Sequence, residues 1–186
     1  RIKDIFIFGC CTGLRFSDIF LLTNKNFEVQ EETYYLKTKS KKTKTYTSVK
    51  LPDYAIEIFQ NYSPHSMKKT VFGKCSLFYF NKSLKAIGEK AGFTDYIGLS
   101  REQLGVPKNI VNKNIKSEIR FCDKMSSHMM RRTAVTTLLI LGMPEHLVRK
   151  ISGHSSNSNS FNRYVHYAQV YMDKEIDKVH MKLQEY

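Results

Sequence analysis

The sequence predicts a mainly α-helical domain of the mixed α+β class, with small antiparallel β-hairpins. Apolar residues recur with helical spacing near both ends of the chain, which is the pattern of amphipathic helices. Two stretches in the first third instead alternate polar and apolar residues, which is typical of strands. The chain has 186 residues, of which 41% are hydrophobic, and this is enough for one domain over residues 1–186.

Two helices are predicted at the start of the chain. The segment IKDIFIFGCC carries apolar residues at helical spacing, and its pattern stops at Thr12–Gly13. The segment RFSDIFLLTN predicts a short helix after that break. Ser17 and Asp18 lie in its first turn, where polar and acidic side chains favour a helix N-terminus. The chain therefore opens with a helix, a turn and a second, shorter helix.

A β-hairpin and a third helix are predicted next. ETYYLKTKS and KTYTSVKLP alternate as strands do, and a polar, lysine-rich turn joins them. Pro52 is typical of the start of a helix, and it opens a predicted helix over residues 53–62. A loop over residues 61–70 follows.

The middle of the chain predicts one helix and a second hairpin. The helix runs from about Asn81 to Lys90, and Gly92 closes it. In residues 93–125, GLSREQLGVPKN is rich in turn residues and EIRFCDKMSS alternates weakly. This stretch therefore predicts a second, longer hairpin.

Three helices are predicted in the last third of the chain. Ser126 or Ser127 is the N-cap of a helix that ends at Gly142. Pro144 opens the next helix, which Gly153 terminates. A last amphipathic helix is predicted over residues 161–183, with an apolar side formed by Val165, Ala168, Met172, Ile176 and Val179.

The charge balance points to a polyanionic partner. The chain has 30 Lys and Arg against 17 Asp and Glu, which gives a formal net charge of +13. A surplus of this size is typical of proteins that bind nucleic acid, although a basic protein without such a partner has the same composition.

Several classes of protein are disfavoured by composition. The four cysteines include no C-x-x-C pair, so we expect reduced thiols, no metal site and no disulfide framework. No apolar run approaches the roughly 20 residues of a membrane span. We therefore expect a cytoplasmic protein. The chain starts at Arg1, directly in a helical pattern, so we also expect a fragment of a longer protein.

One local motif carries chemistry that suits a phosphate. His128 and Arg131 are three residues apart at a predicted helix start, so both project from one face. Arg131 offers a planar fork of donors that fits a phosphate, and His128 is able to exchange a proton beside it. His154 follows the next helix and reaches the same place if the two helices pack as a hairpin. A single His-x-x-Arg motif is more often a solvated helix face, so alone it decides little.

Several motifs that occur in a fixed order are more specific than any one of them. Arg15 in CTGLRFSDI, His128 and Arg131 in SHMMRRTA, His154 in ISGHSS and Tyr164 in FNRY closely resemble the catalytic domain of the tyrosine recombinases, or phage integrases. The resemblance covers nearly the whole chain. It implies that family's fold, double-stranded DNA as the partner and no cofactor or metal. It also implies that an N-terminal DNA-arm domain precedes these residues, and that the protein works in the bacterial cytoplasm at the nucleoid.

The resemblance implies a role for each of these residues. Such enzymes cut a DNA phosphodiester with a tyrosine, which forms a 3′-phosphotyrosyl link and frees a 5′-hydroxyl. Arg15 and Arg131 would stabilise the charge that builds on the phosphate oxygens. His128 would remove the proton of the tyrosine, and His154 would hydrogen-bond the phosphate. Asp18 would hold the residues of this pocket in place without contacting the phosphate itself.

The lysine and the tyrosine each have a rival. The family uses a lysine on a hairpin turn as proton donor to the leaving oxygen. Lys44 lies eight residues before Pro52 and fits this role, with Lys42 as the alternative. Tyr164 follows FNR and is favoured as the nucleophile over Tyr167. Its interval from His154 is ten residues, one more than is usual in the family.

The function predicted is site-specific DNA recombination or integration. We expect a homo-oligomer, a tetramer, on DNA and a monomer when free. A type IB topoisomerase shares the chemistry and is one alternative, and a catalytically inactive DNA-binding module is the other. The complete set of site residues argues against the inactive module, since binding alone needs no tyrosine at this place.

Overall fold

The computed structural model describes residues 1–63, 70–98, 100–103, 106–109, 119–155 and 157–184. The chain divides into two compact units. The smaller unit comprises Arg1–Lys3 and Cys75–Ser127, and the larger unit comprises Asp4–Lys74 and His128–Tyr186.

The larger unit begins with helices and a three-stranded antiparallel sheet. In chain order these elements are α1 (Ile2–Thr12), which belongs to this unit from Asp4 onward, α2 (Phe16–Ile19), a 3-10 turn (Asn24–Asn26), β1 (Phe27–Gln30), β2 (Thr33–Lys39), β3 (Tyr46–Lys50) and α3 (Asp53–Tyr62). The predicted hairpin is confirmed as β2 and β3, and the predicted third helix is confirmed as α3. The second helix, α2, is shorter than its predicted segment.

The sheet contains one strand more than the sequence pattern predicts. The strand β1 pairs antiparallel with β2, so the sheet order is β1-β2-β3. Glu31 and Glu32 form the turn between β1 and β2, and both have positive φ angles, 47° and 64°. Turns of this kind normally carry Asn or Gly, so two glutamates gave no signal for this hairpin.

The larger unit ends with three helices that share a core. They are α6 (His128–Ile140), α7 (Glu145–Ser152) and α8 (Asn159–Gln184). Gly142 and Gly153 follow α6 and α7 as predicted, and both adopt left-handed conformations. The core cluster of these helices consists of Val135, Leu139, Val148, Phe161, Tyr164 and Ala168.

The smaller unit contains one long helix and short strand pairs. Its elements are α4 (Leu77–Lys90), β4 (Tyr96–Ile97), β5 (Ser100–Gln103), β6 (Val106–Asn109), β7 (Ile119–Arg120) and α5 (Phe121–Lys124). β4 pairs with β7 and β5 pairs with β6, both antiparallel. These pairs lie where the second hairpin was predicted, and residues 99, 104–105 and 110–118 of that stretch lie outside the described residues.

Two boundaries in the smaller unit differ from prediction. The helix α4 starts four residues before Asn81, because the Ser76 side chain accepts a hydrogen bond from the backbone N–H of Tyr79 and caps the helix. The sequence pattern predicted a strand through Cys122, but the strand β7 ends at Arg120. Asp123 accepts hydrogen bonds from Arg120 and so holds one helical turn, α5, in its place.

The helix α8 buries only the first part of its apolar side. Ala168 is buried in the core cluster, whereas Met172, Ile176 and Val179 are 41–55% exposed. Within the described ranges, no helix combines the length and the apolar character that a membrane crossing needs.

Candidate active site

Arg131 is a buried cation at the centre of the site. It projects from the first turns of α6 and is only 4% exposed. Its Nη1 donates to the carbonyl oxygen of Gly13 at 3.0 Å, and its Nη2 lies 3.1 Å and 3.2 Å from the ring nitrogens of His154. Burial, followed by repulsion from Arg15, lowers the pKa of Arg131 to about 10. The contacts with Gly13 and His154 therefore fix the guanidinium from two sides. A pKa of about 10 leaves it charged at neutral pH.

His154 is held as a neutral imidazole. It follows α7, which Gly153 ends in a left-handed conformation. The Ser152 hydroxyl lies 2.6 Å from the carbonyl oxygen of Val148 and 2.7 Å from Nδ1 of His154. Because this hydroxyl has one proton, which it donates to the carbonyl, Nδ1–H is the donor to its oxygen. Nε2 then accepts from Arg131, so the geometry assigns the Nδ1–H tautomer.

The electrostatic surroundings of His154 agree with a neutral ring. Burial, then the nearby Arg131, Arg15, Arg149 and His128, lower the pKa of His154 to about 3. The ring is therefore uncharged at neutral pH in this structure. A phosphate placed against these cations would offset their mutual repulsion and raise the pKa again.

Arg15 is fixed to the turn between β2 and β3. Its Nη1 donates to Oγ of Ser40 at 2.9 Å, and that hydroxyl donates to Oδ2 of Asp18 at 3.1 Å. The other oxygen of the Asp18 carboxylate accepts the backbone N–H of Lys41 at 3.1 Å. Asp18 is 3% exposed, so this carboxylate is a buried anchor that ties the turn to α2.

The same turn carries the two candidate lysines. The backbone N–H of Lys44 donates to the carbonyl oxygen of Ser40 at 2.9 Å, and Lys44 has a left-handed φ of 57°. The side chains of Lys42 and Lys44 are both exposed. No described residue forms a hydrogen bond or an ion pair with either ammonium group. The choice between them therefore stays a prediction.

The turn lies next to the segment that carries His154. A side-chain carbon added at Gly153 would lie 3.7–3.8 Å from side-chain atoms of Thr43, Thr45 and Thr47. The end of α7 and the β2–β3 turn are thus in contact in the larger unit, which places the lysine-bearing turn beside the histidine.

Tyr164 packs against His154 from α8. Its side chain is 5% exposed, and the two ring centroids are 5.8 Å apart in an edge arrangement. His128 and Tyr164 line one pocket of about 240 Å³, together with Arg132, Ser160, Arg163 and Tyr167. Burial, then Arg131, Arg132 and Arg15, lower the pKa of His128, which favours the neutral form that a proton acceptor needs.

The rival tyrosine has a different environment. Tyr167 lines the same pocket but is 51% exposed, and the guanidinium carbon of Arg132 lies 5.9 Å from its ring centroid. Tyr164 is therefore buried in ring contact with His154, whereas about half of the Tyr167 side chain faces solvent.

Three contributors to this site carried no recognisable signal in the sequence. Ser40 and Ser152 are single hydroxyl residues in polar contexts, and their roles depend on contacts with residues distant in the chain or on a helix end. Arg149 contacts the segment between His154 and Tyr164. In the described residues, no three His, Cys, Asp or Glu side chains group as metal ligands.

The neutral state of His154 predicts acid sensitivity. Its pKa rises from about 3 in the folded chain to 6.5 when the chain unfolds, so the unfolded state alone binds this proton between those values. The contribution of the neutral His154 to folding stability is therefore fully present above pH 6.5. It is lost as the pH falls from 6.5 towards the folded-state pKa. The loss of stability stays below about 1.4 kcal/mol per pH unit, because unfolding takes up at most one proton at this ring and the ring is partly solvated.

Urea unfolding at pH 7.5, 6.5 and 5.5 measures this effect. His154→Gln is expected to flatten the pH dependence, while His180→Gln, on the exposed end of α8, keeps the wild-type slope. An unchanged slope in the His154 variant would contradict the neutral assignment.

The chain is similar to one known protein family in sequence profile and to several solved structures in fold. Residues 1–170 match the model of the phage integrase family. No match was found among curated proteins. The structure is similar to XerH site-specific recombinase bound to a palindromic difH substrate, with 20% identity and a TM-score of 0.64, over 95% of this chain and 45% of that chain.

Two further structures have the same fold. XerA recombinase has 15% identity and a TM-score of 0.59, over 94% of this chain and 62% of that chain. The Tn1549 transposon integrase in complex with circular intermediate DNA has 17% identity and a TM-score of 0.52, over 88% of this chain and 52% of that chain. The predicted fold class is confirmed by these likenesses. The chain spans 45–62% of the length of these three structures.

Proposed function

Because the chain belongs to the phage integrase family, we propose that it is the catalytic domain of a site-specific DNA recombinase that cleaves and rejoins double-stranded DNA. The observation that carries the proposal is the packing of Tyr164 against His154, which in turn contacts the buried Arg131. A tyrosine, a neutral histidine and a fixed cation thus lie together in the larger unit, which supports Tyr164 as the nucleophile.

The chemistry follows from these positions. The Tyr164 oxygen attacks the phosphorus, its proton passes to His128, and a 3′-phosphotyrosyl bond forms as the bond to the 5′-oxygen breaks. The leaving 5′-oxygen takes a proton from Lys44, with Lys42 as the alternative donor. Arg15 and Arg131 stabilise the charge on the non-bridging oxygens. The reverse steps rejoin a strand and need no nucleotide cofactor, because the phosphodiester energy is kept in the covalent link.

His154 contributes by contact with the phosphate. The phosphate charge favours the protonated ring, which then donates hydrogen bonds both to Ser152 and to a phosphate oxygen. In this scheme Arg131 exchanges its contact with Nε2 for a bidentate contact with the phosphate.

Double-stranded DNA is the partner that the charge supports. A net charge of +13 suits a polyanion, and the exposed Lys41, Lys42 and Lys44 concentrate cations on one turn beside the site. We place the protein in the bacterial cytoplasm at the nucleoid. The exposed apolar side of α8 suits contact with a second copy, in line with a monomer when free and a tetramer on DNA.

Trapping of the covalent intermediate tests the proposal. With a nicked DNA substrate whose cleaved fragment diffuses away, the protein is expected to become joined to a 3′ phosphate, and peptide sequencing should find the DNA on Tyr164. An adduct on Tyr167 would contradict the assignment of the nucleophile. DNA binding without any adduct would favour the inactive module.

A paired assay separates the recombinase from a type IB topoisomerase. Exchange between two target sites supports the recombinase. Relaxation of supercoiled DNA without exchange would support the topoisomerase.

A further inference from the structure

Arg149 bridges the two ends of the segment between His154 and Tyr164. Its Nη1 donates to the carbonyl oxygen of Ser155 at 3.2 Å, and its Nη2 donates to the side-chain oxygen of Asn162 at 3.0 Å. Ser155 directly follows the histidine, and Asn162 lies in the first turn of α8. One planar guanidinium therefore spans the connection between the two residues.

The same guanidinium also packs against a ring of the core cluster. Its central carbon lies 3.9 Å from the ring centroid of Phe161, which is fully buried. That ring in turn meets His154 at 5.3 Å and Tyr164 at 6.3 Å, both in edge arrangements. The three rings form a triangle, and Arg149 lies against the face of the ring that touches the other two.

A fourth contact orients the arginine from its own helix. Glu145 lies one turn earlier on α7, and its carboxylate is 3.5 Å from Nη2. The Arg149 side chain is 17% exposed, so its aliphatic stem is largely packed. The guanidinium is thus held at the end of α7 while it holds the start of α8.

We propose that Arg149 is a positioning residue for the nucleophile, which sets where Tyr164 stands relative to the phosphate site. The inference rests on the proposed function, because it assumes that Tyr164 attacks. Arg149 itself touches none of the reacting atoms. It joins the two ends of the connection between His154 and Tyr164, so the position of the tyrosine depends on α7.

The expected effect of its loss is on the rate and not on DNA affinity. A displacement of about 1 Å between reacting atoms costs up to about 10²-fold in rate. Arg149→Ala is therefore expected to slow single-turnover adduct formation on saturating nicked DNA by about 10- to 100-fold. Lys150→Ala, an exposed neighbour on α7, is the matched control and should keep the wild-type rate.

Two variants separate geometry from charge and from folding. Arg149→Lys keeps the charge but cannot reach the Ser155 carbonyl and Asn162 together, so it should stay slow. Asn162→Ala removes one exposed contact and should slow the reaction several-fold with an unchanged melting temperature. Full activity in Arg149→Lys, or in both Arg149→Ala and Asn162→Ala, would overturn the proposal.

A sulfur-substituted substrate distinguishes positioning from help to the leaving group. When sulfur replaces the bridging 5′-oxygen, the leaving thiolate needs no proton donor, because a thiol is far more acidic than an alcohol. This substrate should rescue Lys44→Ala and leave Arg149→Ala slow. Rescue of Arg149→Ala, or a loss confined to DNA affinity, would show that Arg149 acts elsewhere.

The failure of this inference is separable from that of the proposed function. If the wild-type protein forms no adduct at Tyr164, the proposed function fails. If it forms the adduct and Arg149→Ala reacts at the wild-type rate, the positioning role alone fails.

Discussion

Tyr164→Phe is expected to abolish the covalent adduct with DNA completely while the protein still folds and binds. The substitution removes only the attacking oxygen. The ring, which is 5% exposed and belongs to the core cluster of α6, α7 and α8, keeps its packing. Adduct formation on a nicked substrate, DNA affinity and the melting temperature together measure the three expectations.

The neighbouring tyrosines provide the controls. Tyr167→Phe and Tyr171→Phe remove the same oxygen from side chains that are 51% and 46% exposed. Both variants should form the adduct at rates near that of the wild-type protein. If Tyr164→Phe keeps the adduct and Tyr167→Phe loses it, the nucleophile has been assigned to the wrong tyrosine.

Arg131→Ala is expected to lower the cleavage rate by on the order of 10² to 10³, or more. Loss of one fixed donor to a developing oxyanion costs this much in other enzymes. The variant also leaves the Gly13 carbonyl oxygen and Nε2 of His154 without their donor, so a stability loss of about 1–3 kcal/mol is expected as well. Rates are therefore to be compared at a temperature where both proteins are folded.

Arg131→Lys tests whether the fork of donors matters. Lysine restores the charge, but an ammonium group cannot make the paired contacts of a guanidinium with both Gly13 and the histidine or phosphate. Cleavage should therefore remain well below the wild-type rate. Near-normal cleavage by the lysine variant would mean that charge alone suffices at this position.

Periodicity and turn residues were enough to predict most of the larger unit. Alternation predicted β2 and β3, and Pro52 marked the start of α3. Gly142 and Gly153 marked the ends of α6 and α7. These signals are local, because each depends on the conformational preference of a few adjacent residues. The order of the motifs then placed Arg131, His154 and Tyr164 in one site, and the structure brings those three together.

Features that lack a local signal, or that depend on distant contacts, escaped prediction. The strand β1 lacked a turn signal because two glutamates occupy left-handed positions. The first turn of α4 carries exposed aromatic residues, Phe78 and Tyr79, which give no helical contrast between faces. Ser40 joins Arg15 to Asp18 across more than twenty residues of chain, and no local pattern encodes such a contact.

The backbone of Lys44 bears on any effort to make this protein more robust. A left-handed φ of 57° costs a residue with a side-chain carbon roughly 1 kcal/mol, whereas glycine or asparagine adopts it readily. Sequence optimisation for thermal tolerance would thus replace this lysine among the first positions in the turn, and it would remove the proposed proton donor with it. Resistance to heat and the proposed catalytic role are therefore opposed at this one residue, and a stabilised version of the protein has to gain its stability elsewhere.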